Sequence, residues 1–437
     1  MKLHRTFTIL AMLAALSACG GGNTVAEGVG TGGTGITWGT VTGFGSVFID
    51  GVEYEDSNSP IQQGTSAGQA VDTLLALGQQ VQVTSDGTGQ AQHIRVLPQL
   101  LGPVTVAPSG QALSVMGVNV GWDDSTSGLA ASTLSRNDTV RVFGQWNSDG
   151  TALSATRIER ATPTTAVLIS GLVQSFAATS VQLQSGWTVT VDSTAALNLS
   201  AGALVSFWID ANTWSSNPVT ALATDAHPPA FSDNQELNVN VTLRRDSHGQ
   251  AQAMGIALPP LPENLSDGQR AQLKIKRVNG AWAWVDLPTA TTRASTTHLS
   301  ATLSAPNWQA TPLSLNLRNT PVVISAAVVN ASNCASFSSG DVHIKVDAAL
   351  GTEPLNATQI TCDGAVESAI ETTTAQVVGF NAQTQELTVE SNGQRQTMAL
   401  PRNNQKPANP SDWVGQSVFI EWRTNGSSKT AQRITPR

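Results

Sequence analysis

From Ile36 onward, apolar and polar residues alternate in short runs, and the runs return in the same order about every 60 residues. The clearest copy opens at Gly102-Pro103-Val104 and continues through Ala112-Leu113-Ser114-Val115-Met116-Gly117-Val118. A linker holding Ala131-Ser132-Thr133-Leu134 follows, then Thr139-Val140-Arg141-Val142-Phe143-Gly144, an Asp149-Gly150 turn, and a last run from Ala152 to Ile158. The preceding copy has Gly39-Thr40-Val41, Val47 to Val52, Leu74 to Gly78, Gln80 to Val83 and Ala91 to Ile94 in the same order. A third begins at Gly171-Leu172-Val173, and the final one begins at Ala375-Gln376-Val377. Alternation at period two marks half-buried strands, and the Asp-Gly, Asn-Gly and Ser-Gly pairs between runs accept the positive φ of tight hairpins. Each unit therefore predicts five short strands with a brief helical insert ahead of the fourth, which suits a small OB-like five-stranded barrel. A unit of this size buries only about 60% of its unfolded surface, so neighbouring barrels are expected to pack against one another.

The fold class is all-β: tandem small OB-like barrels behind a lipoprotein signal and a Gly-rich tether. The expected division is a signal peptide at 1–18, the lipidated cysteine and tether at 19–35, and barrel units at 36–99, 100–162 and 163–230. Two diverged β units follow at 231–294 and 295–366, and a last barrel at 367–437. In the diverged units, strands are expected over Val239–Leu243, Leu273–Val278, Val322–Val329 and Val342–Val346, with Pro259-Pro260-Leu261-Pro262 as a stiff connector.

Ahead of the repeats, Lys2 and Arg5 precede an apolar run from Phe7 to Ala15 that is too short to span a bilayer. It ends in Leu16-Ser17-Ala18-Cys19, which resembles the lipobox of bacterial lipoproteins, where cleavage falls before the cysteine and a lipid joins its sulfur. The resemblance implies attachment to a membrane through Cys19. Gly20 in place of an aspartate implies the outer membrane rather than the inner one. Residues 20–35 are glycine-rich with no hydrophobic period, as in a flexible tether. The stretch from Gly39 to Val52, Gly-Thr-Val-Thr-Gly-Phe-Gly-Ser-Val-Phe-Ile-Asp-Gly-Val, is similar to the opening of bacterial lipoproteins that carry tandem β-rich domains of unknown function. That family supplies fold and location and no catalytic residues.

Charged residues make up only 12% of the chain, too few for long amphipathic helices. Once Lys2 and Arg5 leave with the signal, 21 basic residues face 31 acidic ones, a net charge of −10 with the basic residues scattered. That balance argues against nucleic acid, whose phosphates need clustered cations. With Cys19 lipidated, Cys334 and Cys362 are the only cysteines left to pair, and an exported chain sits where disulfides persist.

No nucleophile elbow is present, and the five histidines of the mature chain (His93, His227, His248, His298 and His343) are isolated in sequence, so no metal site or cofactor is expected. Asp123-Asp124 lacks the spacing of a calcium loop and reads as a solvated turn. The tryptophans carry more information, 11 against a single tyrosine, Tyr54. Trp146 and Trp422 continue the phase of their strands' inward residues, whereas Trp208 is out of phase and faces outward. Trp282 and Trp284 share a face beside the Asn279-Gly280 turn. Exposed, Trp208, Trp282 and Trp284 would form a stacking platform for a glycan; covered, they would seal the junctions between modules. The leading expectation is a non-enzymatic binding or scaffolding protein of the envelope with an envelope protein or glycan as partner. The alternatives are a carbohydrate-binding protein of the cell surface and a hydrolase whose carboxylates converge only in the fold.

Overall fold

The computed structural model describes residues 34–436 apart from 57–58, 87–88, 198, 228–232, 246–248, 305, 310–311, 338–340, 364–370, 385, 392, 401–409 and 426–427. The signal peptide, Cys19 and almost all of the tether lie outside the described residues. Thr34 and Gly35, assigned above to the tether, already belong to the first strand, because they are hydrogen-bonded in register with Asp86 and Ser85.

The chain is all-β. Unit 2 shows the repeat in full, with strands Leu100–Ser109, Ala112–Val115, Val118–Gly121, Thr139–Trp146 and Ala152–Arg160. A short 3-10 turn, Ala131–Thr133, sits ahead of the fourth strand. The first three strands meander, the third runs parallel to the fifth (Asn119 beside Ala152), and the fourth returns to the first (Val142 beside Leu100). The ring order 1-2-3-5-4 closes a small barrel of OB type. Unit 3, from Ala166–Ala177 to Val219–His227, and unit 6, from Glu371–Asn381 to Ser428–Pro436, close in the same order. In unit 1 a hairpin, Ile61–Gly64 with Ala70–Asp72, is inserted after the third strand, and Glu55 bridges to Gln90 in the place of the parallel third-to-fifth pairing.

The diverged middle follows the same plan less completely. Unit 5 keeps the order 2-3-5-4-1, with Val322 of its third strand parallel to Leu355 of its fifth. Its expected Val322–Val329 strand stops at Ile324. Ser325 then caps a helix, Ala326–Asn330, by accepting a hydrogen bond from Val328 N, so the apolar run changes from strand to helix at a capping residue. Unit 4 pairs its strands Glu236–Thr242, Arg270–Val278 and Ala281–Ala290 in one sheet, and a separate three-stranded sheet of very short strands starts at Arg244–Arg245.

Units 1, 4 and 5 are fused through their first strands, as are units 2 and 3, whereas unit 6 closes as a barrel of its own. Thr34–Phe44 of unit 1 pairs in parallel with the first strand of unit 4 (Gly35 beside Glu236, Trp38 beside Val239). Near its far end it pairs with the first strand of unit 5 (Gly43 beside His298). The first strands of units 2 and 3 meet at Leu101 and Leu168. These strands overhang their own barrels, and an overhanging edge is satisfied by pairing with another. The cores merge accordingly: units 1 and 5 share one hydrophobic cluster and units 2 and 3 share another. Two glycines permit the close approach. A Cβ on Gly43 would lie 2.7 Å from the His298 carbonyl oxygen. One on Gly78, whose φ is +79°, would lie 2.4 Å from the Thr156 carbonyl oxygen across the junction of units 1 and 2.

Candidate functional site

Ion pairs gather at the junctions between barrels. Arg157 of unit 2 reaches Glu353 of unit 5 at 2.7 Å and the Leu77 carbonyl of unit 1 at 3.1 Å. Arg318 of unit 5 forks onto Asp56 of unit 1 at 2.8 and 3.2 Å and lies over the Phe44 ring. Arg95 of unit 1 pairs with Asp225 of unit 3. Arg293, between units 4 and 5, pairs with Asp123 at 3.2 Å, and Asp123 also accepts from Ser125 N and Oγ. The Asp123-Asp124 turn is thus a junction contact.

The densest of these junctions is a polar cavity of only about 10 Å³ bordered by Asp50, Ser127, Thr156, Arg270 and Arg293. That volume is near the minimum for a single water. Asp50 accepts from Thr40 N at 3.1 Å and from Arg270 at 3.3 Å. Burial still wins over both, and the carboxyl is pushed up to about 6. A carboxyl whose folded pKa lies above its unfolded one contributes stability that is full below the unfolded value and lost as pH rises through about 6. His93, whose pKa burial lowers, works the other way, losing stability as pH falls. Comparison with Asp50→Asn isolates the first effect: in thermal melts, the variant should gain on the native protein as pH rises from about 5 through about 6 and then level off. A difference that stays flat across this range would contradict the assignment.

A larger, half-enclosed cavity of about 90 Å³ lies where units 1 to 4 meet. Trp38 comes from unit 1, Trp146 from unit 2, Leu172 and Leu204 from unit 3, and Val239 and Arg244 from unit 4. The lining is mainly apolar. Several of its polar groups are tied to one another: Trp146 Nε1 donates to Gln99 Oε1 at 3.1 Å, Gln99 Nε2 donates to the Leu97 carbonyl, and Gln145 Nε2 donates to the Asn240 carbonyl at 2.7 Å. Arg244 differs, because its Nη1 is buried with no hydrogen-bond partner. No carboxylate lines this cavity among the described residues, and Asp50 alone lines the smaller one.

The tryptophans fall where strand phase places them. Trp146 and Trp422 are buried, in the cores of units 2 and 6. Trp208 is half-buried on the outer face of unit 3, in register with Leu168. Trp282 and Trp284 are half-buried and pack against the core of unit 4, and Trp284 Nε1 donates to the Pro260 carbonyl at 3.1 Å, holding the proline-rich connector. Trp208 and the Trp282–Trp284 pair belong to different barrels and form no common platform. His93 bonds Gln62, and His298 bonds Asp347 at 2.5 Å on another barrel. Cys334 and Cys362 form the expected disulfide. Arg244 was missed in sequence because nothing local distinguishes it; its isolation comes from three other barrels closing around it.

The repeat itself has a counterpart. Residues 102–159 match a family described as Domain of unknown function (DUF5666). The matched DUF5666 segment takes in nearly all of the unit 2 barrel, from within its first strand to within its fifth. No curated protein matches the chain.

Proposed function

We propose that this protein is a lipid-anchored component of the bacterial cell envelope, held to the outer membrane through Cys19, that works as a rigid binding or scaffolding body without chemistry of its own. The observation that carries this reading is the use made of ion pairs that have at least one largely buried partner. Arg157, Arg270 and Arg318 each clamp one barrel to another through a carboxylate, so they bind a block together instead of facing a substrate. The disulfide supports an oxidising compartment, and the signal-like leader with its lipobox resemblance supports export and anchoring. A block of fused barrels offers a wide, fixed surface to which an envelope protein or a glycan can bind.

The test is detergent phase partitioning of envelopes that express the native protein or Cys19→Ser. The native form should enter the detergent phase and the variant should stay aqueous or accumulate as precursor, since acyl chains supply the anchoring energy. Equal aqueous partitioning of both would end the anchored reading.

A further inference from the structure

The cavity at the meeting of units 1 to 4 is built for a ligand of a definite kind. We propose that it binds a small organic monocarboxylate with one ring-sized apolar group, placing the ring between the tryptophan-bearing walls and the carboxylate on Arg244. Four observations converge on this. The volume of about 90 Å³, half-open to solvent, leaves room for no more than a single ring and is too small for a sugar chain or a peptide. The walls are aromatic and aliphatic, with Trp38, Trp146, Leu172 and Leu204 drawn from three different barrels, which favours an apolar body. The amides of Gln99 and Gln145 are already engaged within the wall, so neither needs a ligand to satisfy it.

The fourth observation is Arg244. A guanidinium donor buried without a partner costs free energy unless something accepts from it. The charge of Arg244 also acts on Asp149, whose carboxyl is held down first by hydrogen bonds from Thr151 and only lastly by Arg244. Asp149 Oδ1 is occupied by Thr151 N and Oγ1, and Arg244 Nη1 donates to no atom of that side chain. An anion entering the half-open mouth would therefore meet a guanidinium donor without a hydrogen-bond partner and a ring-sized apolar pocket together. No carboxylate on the lining would repel it among the described residues. Because the pocket exists only when four barrels are docked, occupancy would also reinforce the block, so ligand should raise its melting temperature.

Isothermal titration of the full-length protein with benzoate, with benzyl alcohol as a neutral ligand of the same shape, and with acetate as a charge without a ring tests this directly. Benzoate should bind saturably at one site and raise the melting temperature. Benzyl alcohol and acetate should each bind at least about tenfold more weakly, as expected when one charge-assisted hydrogen bond or the apolar contact is removed. Arg244→Gln should weaken benzoate by about the same factor and leave benzyl alcohol unchanged. Leu172→Phe, which fills the pocket from unit 3, should abolish binding of both. Equal affinity for benzoate and benzyl alcohol, or unchanged benzoate affinity in Arg244→Gln, would overturn the carboxylate assignment. No heat and no thermal shift with any of the three ligands would overturn the site. If Arg244→Gln fails to fold, the comparison of the three ligands on the native protein still decides.

Discussion

Replacing Arg157 with alanine is expected to cost about 3–5 kcal/mol, the usual penalty for removing one partner of a buried ion pair. Its side chain is only 8% exposed, and it bonds Glu159 at 3.0 Å, Glu353 at 2.7 Å and the Leu77 carbonyl oxygen at 3.1 Å. Burial alone would disfavour its charge, but Glu353 and Glu159 together outweigh burial and raise its pKa. The truncated variant would leave the largely buried Glu353 without its cation and Glu159 with Arg141 as its remaining partner. It would also leave the Leu77 carbonyl without that donor. Because the three partners belong to units 1, 2 and 5, the loss should appear as a lower urea midpoint for the fused block and not only for unit 2. A triple replacement, Arg157→Met with Glu159→Met and Glu353→Met, should recover most of the lost stability, since it removes the charges together. A single variant within about 1 kcal/mol of the native protein would show that the cluster is solvated and weak.

Removing the disulfide should have a comparable effect. Cys334 and Cys362 close a loop with a sequence separation of 28, for which the chain-entropy model gives about 3.5 kcal/mol. Both cysteines lie in the cluster that units 1 and 5 share, so Cys334→Ala with Cys362→Ala should weaken both units. Asn333 ties the same segments together: its Nδ2 donates to the Cys362 carbonyl at 2.6 Å, and its Oδ1 accepts from Cys362 N at 2.9 Å. That clip should keep the reduced protein native-like at low temperature. Chemical unfolding with and without reductant, alongside non-reducing peptide mapping, provides the measurement. Coincident midpoints would contradict the expected stabilisation, and free thiols in the protein isolated without reductant would contradict the bond itself.

Much of the architecture was legible because its causes are local. Period-two alternation set the strands of units 1, 2, 3 and 6, and Asp149-Gly150 and Asn279-Gly280 marked turns where the backbone does take positive φ. Strand phase correctly put Trp146 and Trp422 inside and Trp208 outside, because the side-chain period of a strand is independent of what lies across the sheet. The cysteine pairing followed from setting Cys19 aside as the expected lipid site, which leaves two candidates. The Val322–Val329 run was harder, since Ser325 can either continue a strand or cap a helix, and the choice depends on what each conformation buries.

What the chain determined by itself is the repeat: strand order within a barrel, turn positions, inward and outward faces, and the one disulfide. Only the tertiary structure decided how the barrels associate. The overhang of the Thr34–Phe44 strand pairs unit 1 with units 4 and 5, which are remote in sequence, and no residue pattern encodes a partner for a free strand edge. Asp50 sits in an ordinary Asp-Gly turn, and Arg270, 220 residues away, makes it a buried junction group. The same holds for Arg244 and the cavity it lines. Desolvation and unmet hydrogen bonds arise from burial by distant segments, so such sites form only once the barrels have docked.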